Sequence, residues 1–182
     1  LHTIPQEFIV DTLEKIDNPI GLSGRRLEGH VHLVTASTSG MENLIESAEE
    51  LGININGLVF KPLASAIPTL TKDEMKLGVS LIDIGSTTTS IAVFNEGAVR
   101  HSAVIPVGSS SITNDIAVML RISIEEAEKI KIKYASAKAS LSSQKLEFEV
   151  PNSEENQMIS ENELSQYVEA RMEEIFQLAL NE

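Results

Sequence analysis

The chain of 182 residues contains no cysteine. That absence excludes a disulfide framework and a thiolate metal site, and a reducing cytoplasm is the setting such a composition suits. No apolar run approaches the length of a membrane span. The opening residues, "LHTIPQEFIV", lack the basic start and apolar stretch of a secretory signal. Basic residues are also scarce: 14 Lys and Arg stand against 27 Asp and Glu, for a net charge of −13. They are scattered rather than clustered, so most of the surface would repel a nucleic-acid backbone, which excludes DNA and RNA as expected partners. There is no internal repeat at a fixed period and no long low-complexity window. The chain begins at Leu1 rather than Met, which predicts an internal piece of something longer.

What is present is ordinary material for a globular α/β protein, with 42% hydrophobic and 23% charged residues. Residues 1–36 predict two strands separated by the turn-rich "NPIGLSG", with Leu27, Val31 and Leu33 alternating in the second. From Thr38 the period changes to that of a helix, carried by Met41, Leu44, Ile45, Ala48 and Leu51 and stopped by Gly52. "GLVFKP" then reads as a short buried strand, and "LASAIPTL" as a short helix limited by Pro68. Residues 77–107 predict a three-stranded meander, "LGVSLID", "TTSIAVFN" and "AVRHSAVIPV", with "NEG" as its second turn. Two helices follow. The first has Ile112, Ile116 and Met119 or Leu120 on one face, and the second opens with the capping-box spacing of Ser123 and Glu126. Residues 136–160 are polar enough to predict a mobile connection, interrupted by the strand "KLEFEV". The acidic stretch "NSEENQMISENE" reads as a solvated loop and helix start. A closing helix presents Leu164, Val168, Met172, Ile175 and Leu178, a face suited to core or subunit contact because its polar side is acidic rather than basic.

Chemistry concentrates at "DIGSTTTS". A strand ending in Asp83 and turning through Gly85 into Ser86, Thr87, Thr88 and Thr89 offers backbone N–H and side-chain O–H donors toward one point, as phosphate oxygens require. Asp83 is placed to hold Mg²⁺ through water. By local pattern alone the same residues also read as a small polar β-turn, and both readings stand. Gly108 and the helix start after it could offer free N–H groups to an anion, or Gly108 could simply turn the chain. Glu128 and Lys131 share a helical face and read locally as an i,i+3 ion pair. His30 and His32 lie on one strand face without a third metal ligand, which favours packing or exposure; His2 and His101 have no nucleophile or acid at a telling spacing. Ser109, Ser110 and Ser111 are not framed as a nucleophile elbow.

Long segments in a fixed order carry a resemblance: "LHTIPQEFIVD", "NPIGLSGRRLEGHVHLVTAS", "LASAIPTLTKDEMKLGVSLIDIG", "TSIAVFNEGAVRHSAVIPVGSSSITNDIA" and "EEAEKIKIKYASA". Together they resemble the FtsA family of bacterial cell-division proteins, actin-like members of the actin and Hsp70 ATPase superfamily. The resemblance implies a partial actin-like (ribonuclease H-like) α/β fold with strands of an inserted small subdomain. Residues 1–36 would be the end of the inserted 1C-like subdomain, 37–76 part of a 1A-like subdomain, and 77–182 the start of 2A- and 2B-like subdomains. It implies ATP with Mg²⁺ as cofactors, phosphate contacts from Asp83, Gly85, Ser86, Thr87, Thr88, Thr89 and Gly108, and ribose and adenine contacts from Glu128 and Lys131. In the family this loop commonly reads D-I-G-G-G-T-T-D. Here Ser86 and Thr87 replace two glycines and Ser90 replaces the acid, so side chains crowd the place where bare backbone meets phosphate, and at most a weak ATPase is expected. The family's first phosphate loop would precede Leu1, and its adenosine loop and membrane-binding helix would follow Glu182. The implied role is a filament-forming scaffold on the inner face of the cell membrane at the division site, tethering the FtsZ ring and recruiting other division proteins. Two alternatives are a nucleotide-independent scaffold like the pilus protein PilM, which the substituted loop favours, and a sugar or acetate kinase, whose similar turn usually lies in the first strand of a domain.

Overall fold

A computed structural model describes residues 1–150 and 158–182. The chain divides into two units, Leu1–Asp83 with Ile91–Ala103, and Ile84–Ser90 with Val104–Glu182.

The first unit begins with an antiparallel sheet of β1 (His2–Val10), β2 (Leu13–Ile16) and β3 (Leu27–Val34), in the order β2-β1-β3. This is one strand more than the sequence predicts. β2 is four residues long and reads Leu-Glu-Lys-Ile, too short and polar to show a period. After β1, Asp11 adopts φ 57° and its Oδ1 accepts from the backbone N–H groups of Arg25 and Arg26 at 2.9 and 2.8 Å, which returns the intervening loop to the sheet. The alternation in β3 is as expected, yet Leu27, Val31 and Leu33 are exposed on its outer face. Gly29 lies on that face beneath the Phe8 ring, 3.2 Å from where a Cβ would stand.

Helix α1 (Thr38–Glu49) is capped by Ser37 and ends at Gly52, whose φ is 76°. The expected strand at "GLVFKP" is absent: residues 53–60 have no regular structure, and Lys61 and Pro62 open helix α2 (Lys61–Thr69). Proline lacks an N–H that the first turn of a helix would leave unpaired anyway, so Pro62 starts a helix rather than closing a strand. Helix α3 (Lys72–Leu77) was not expected either. A reciprocal capping box between Thr71 and Glu74 starts it, and Gly78 at φ 110° stops it, so the next strand begins two residues later than the pattern suggests. The first unit's core is Ala66, Ala92, Phe94 and Val99, with Leu63, Met75 and Leu81 packed on it.

The expected meander is present as β4 (Val79–Ile84), β5 (Thr89–Asn95) and β6 (Ala98–Ile105), paired in chain order. Its central strand is buried at Thr89, Ser90, Ile91, Ala92 and Phe94. The turn after it uses Glu96 at φ 53° and Gly97 at φ 79°.

The second unit holds α4 (Ser109–Leu120), α5 (Ile124–Tyr134), a 3₁₀ turn at Ala139–Leu141, the hairpin of β7 (Glu147–Glu149) with β8 (Met158–Ser160), and α6 (Glu161–Asn181). The Ser123–Glu126 capping box forms as expected. Ile116, Leu164, Val168, Ile130 and Phe148 form the core, and the rings of Tyr134 and Phe148 stack at 4.0 Å. Of the face predicted for α6, Leu164, Val168 and Ile175 are buried and Met172 packs against the core. The polar segment after α5 is tied down rather than loose where it is described. The Ala139 N–H donates to Glu169 at 2.9 Å, Asn162 donates to the Ala139 carbonyl at 2.7 Å, and the Ser136 N–H donates to Ser165 at 3.0 Å. The mobile-connection reading otherwise falls on residues 151–157, outside the described residues.

Leu164 is fully buried at the centre of this core. Leu164→Ala should therefore cost about 2–5 kcal/mol through lost burial and the cavity left behind. A urea unfolding midpoint unchanged by the substitution would contradict this packing.

Candidate functional site

The segment Gly85–Thr88 joins β4 to β5, and the Gly85 N–H closes it by donating to the Thr88 carbonyl at 2.9 Å. The next two carbonyls turn toward the start of α4. The Gly85 carbonyl accepts from the Ser109 N–H at 2.9 Å, and the Ser86 carbonyl accepts from the Ser110 N–H at 2.8 Å and from the Ser110 hydroxyl at 2.7 Å. Thr89 is fully buried and donates its hydroxyl to the Val107 carbonyl at 2.8 Å, pinning the far end of the turn.

Gly108 makes this approach possible. A Cβ there would lie 2.5 Å from the Ser86 carbonyl oxygen and 2.6 Å from that of Gly85, while its φ of −155° is ordinary extended backbone. Glycine is needed for closeness, not for a turn. This corrects the expectation of a free N-terminus on α4, because the N–H groups of Ser109 and Ser110 are already taken by loop carbonyls. The same bonds orient the loop. In a trans peptide the C=O and N–H point in opposite directions, so the Ser86 and Thr87 N–H groups are aimed away from α4.

Beside this junction lies an open pocket of about 640 Å³, lined by Ser86, Ser109, Ser110, Thr113, Glu128 and Lys131 among others. Its volume is within the range of small-molecule sites. Glu128 and Lys131 form an ion pair at 2.7 Å on α5, and both bond Thr113 of α4, whose hydroxyl donates to Glu128 Oε2 at 2.5 Å and accepts from Lys131 Nζ at 2.8 Å. The hydrogen bonds from Lys131 and then Thr113 hold the Glu128 carboxyl below the usual glutamate range, so it stays ionised.

Of the residues singled out in the sequence, Ser86, Glu128 and Lys131 meet in this pocket, and Gly85 and Gly108 shape the wall behind it. Thr87 is exposed on the loop, Thr88 closes the turn through its carbonyl, and Thr89 is buried architecture. Sequence reasoning missed Thr113 and the lining role of Ser109 and Ser110. The available signal was the i,i+4 spacing of Ser109 and Thr113, which puts two hydroxyls on one face of α4.

Asp83 belongs to the first unit. Its Oδ1 pairs with Lys61 Nζ at 2.8 Å and its Oδ2 accepts from the Ser65 hydroxyl at 2.8 Å. These two donors, Lys61 foremost, hold its carboxyl below the usual aspartate range. The expected Mg²⁺ fits this group poorly, because an ammonium already supplies the positive charge on the oxygen a hydrated cation would face. His30 pairs with Glu7 at 2.9 Å and His32 with Ser102 at 2.8 Å, and among the described residues no group of three His, Asp or Glu side chains could hold a metal ion. Among those residues, too, no helix is long and apolar enough to cross a membrane.

Comparisons with known proteins agree on kinship. Residues 80–179 match the family described as "Cell division protein FtsA", and residues 1–35 match "SHS2 domain inserted in FTSA". The chain is 42% identical over 180 residues to the cell division protein FtsA of Pseudomonas aeruginosa, covering 98% of this chain and 43% of that one. It is 37% identical over 184 residues to FtsA of Escherichia coli K12, covering all of this chain and 44% of that one. The chain thus spans less than half the length of these relatives. Among solved structures, MreB 5 of Spiroplasma citri bound to AMPPNP is similar with a TM-score of 0.65 and 20% identity, over 80% of this chain and 47% of that one. At that identity the likeness speaks to the fold, which is part of the actin-like architecture.

Two outcomes follow from this geometry. Gly108→Ala should destabilise the second unit by about 1–3 kcal/mol, since a Cβ cannot enter against two carbonyls without moving backbone. Amide exchange at Ser109 and Ser110 should accelerate with it; unchanged protection would rule out the close approach. Because the Asp83 carboxyl is depressed, its contribution to stability is complete above the ordinary aspartate range and is lost as pH falls through the lowered value. Lys61→Met should move its titration, followed by carboxyl ¹³C shifts, up toward the ordinary aspartate range.

Proposed function

Because the chain belongs to the FtsA family of cell division proteins, we propose that it contributes one wall of an actin-like nucleotide site in a division scaffold, with ATP as the ligand. The observation that carries this reading is the pocket in which the Ser86 loop, the first turn of α4 and the Glu128–Lys131 pair converge. The Ser86 hydroxyl, with N–H groups of Ser86 and Thr87 directed away from α4, suits phosphate oxygens, whereas the Ser110 hydroxyl is already spent on the Ser86 carbonyl. Glu128 suits the hydroxyl and amine donors at the other end of a nucleotide. The AMPPNP bound to the similar MreB 5 structure supports the same ligand class.

In this reading residues 1–36 form the end of a 1C-like inserted subdomain, 37–76 part of a 1A-like one, and 77–182 the start of 2A- and 2B-like subdomains. The whole protein would form filaments, contact FtsZ and other division proteins, and reach the inner face of the membrane through a C-terminal helix. Mg²⁺ would come with the nucleotide's phosphates; Asp83 is not assigned as its ligand, since Lys61 already occupies it. Ser86 and Thr87, where the family commonly has glycines, crowd the phosphate side and support binding with slow turnover. The same crowding is what favours the second reading, a scaffold that acts by contact without nucleotide.

One titration separates the two. ATP binding by the full-length protein should weaken about tenfold in Ser86→Val and again in Glu128→Gln, each a loss of about 1.4 kcal/mol. An intact protein that binds no ATP would leave the contact-only scaffold as the function.

A further inference from the structure

We propose that Lys61 is a resident cation that bars Asp83 from divalent metal, so that this one side chain sets the protein's metal requirement. For ATP this rests on the nucleotide reading above; for metal it rests on the geometry of the first unit alone.

Lys61 opens α2 and Ser65 lies one turn on, so the two side chains rise from the same face of the helix. Both reach the end of β4. Lys61 Nζ pairs with Asp83 Oδ1 at 2.8 Å and the Ser65 hydroxyl donates to Oδ2 at 2.8 Å, so each carboxylate oxygen already has a donor. All three residues belong to the first unit. The Lys61 side chain is 53% exposed and that of Asp83 20%, so the ammonium is the more solvent-facing of the pair.

A hydrated Mg²⁺ keeps several of its waters and is held by one or two carboxylates together with phosphate oxygens. At Asp83 such an ion would face an ammonium already in contact with the carboxylate, and the two positive charges repel. No further acid offsets that repulsion: among the described residues no three His, Asp or Glu side chains could hold a metal ion together. The ammonium is tethered, so Asp83 has its counter-ion at every metal concentration.

The consequence is a loss of metal dependence. Asp83 stands two residues before Gly85, where the loop assigned to phosphate begins. A metal ion carried in on the phosphates finds no carboxylate ligand in Asp83, so ATP gains little from bringing one. Without the ammonium the carboxylate is free to recruit the metal, and one substitution converts the position.

The test uses the full-length protein with Mn²⁺ alone as the first probe, read by paramagnetic broadening of the Asp83 carboxyl ¹³C signal. Lys61→Met and Lys61→Gln should broaden it at a Mn²⁺ concentration at least about tenfold below that needed in the unsubstituted protein. Lys61→Arg, which keeps the charge, and Ser65→Ala, which frees Oδ2 but leaves the ammonium, should behave like the unsubstituted protein. With ATP as the second probe, the affinity lost when EDTA replaces Mg²⁺ should be about tenfold greater in Lys61→Met than in the unsubstituted protein. Equal Mn²⁺ sensitivity of Asp83 with and without the ammonium overturns the proposal, because Lys61 then neither admits nor excludes metal. Broadening in Ser65→Ala as strong as in Lys61→Met overturns it too, by making crowding rather than charge the barrier. So do equal EDTA losses in two proteins that both bind ATP. If the unsubstituted protein binds no ATP, the nucleotide reading falls, and the Mn²⁺ result still decides whether Lys61 keeps metal from Asp83.

Discussion

Two carbonyl oxygens, those of Gly85 and Ser86, press against the backbone at Gly108 with no room for a methyl group between them. The second unit's chemistry is arranged around that approach. It gives the first two N–H groups of α4 their partners, which a helix start must find somewhere. It also fixes which way the loop's peptides face and brings Ser86 to the helix whose next turn carries Thr113. From Thr113 the hydroxyl reaches α5 and sets the Glu128–Lys131 pair. A residue type absent from the contact, the missing Cβ, is thus what lets a loop, two helices and an ion pair share one small volume.

The charge of the chain bears on this site less than its total of −13 suggests. Glu128 is matched by Lys131, Asp83 by Lys61 and Asp115 by Arg171, each within 2.8 Å. Close pairs of this kind cancel at distances beyond a few ångströms, so an anion arriving near them meets a locally neutral wall. The excess acid is carried elsewhere, for example by Glu161 and Glu163 in the first turn of α6, where it suits the helix dipole.

What was legible in the sequence is what is decided locally. The meander, the capping box at Ser123 and Glu126, and the apolar stripe of α6 each depend on residues close in the chain. The strand β2 was hidden because four residues cannot show a period. At residues 57–62 an apolar run looked like a strand, but Pro62 and the packing of Leu63 and Ala66 made its end the beginning of a helix. The polar stretch after α5 resembled a tether because serines, asparagine and lysine usually do. Instead Ser142 within it and Asn162 of α6 both donate to the Ala139 carbonyl of the 3₁₀ turn. The site was half legible for the same reason. The E-x-x-K spacing and the glycine-hydroxyl turn are local signals, whereas the partnership of Thr113 with α5, and of Lys61 with Asp83, exists only after folding. A glycine needed for close approach looks in sequence like any loop glycine.

Helix α4 carries more than the wall of a pocket. Its first turn is bonded to the loop, Thr113 in its second turn holds α5, and Asp115 grips Arg171 of α6 through two hydrogen bonds at 2.7 and 2.9 Å. A helix moves as a rod, so these three attachments cannot shift independently. A ligand that pushed the loop by a fraction of an ångström would be felt along the rod at α6, some two turns away. The pocket and the closing helix are two ends of one mechanical lever.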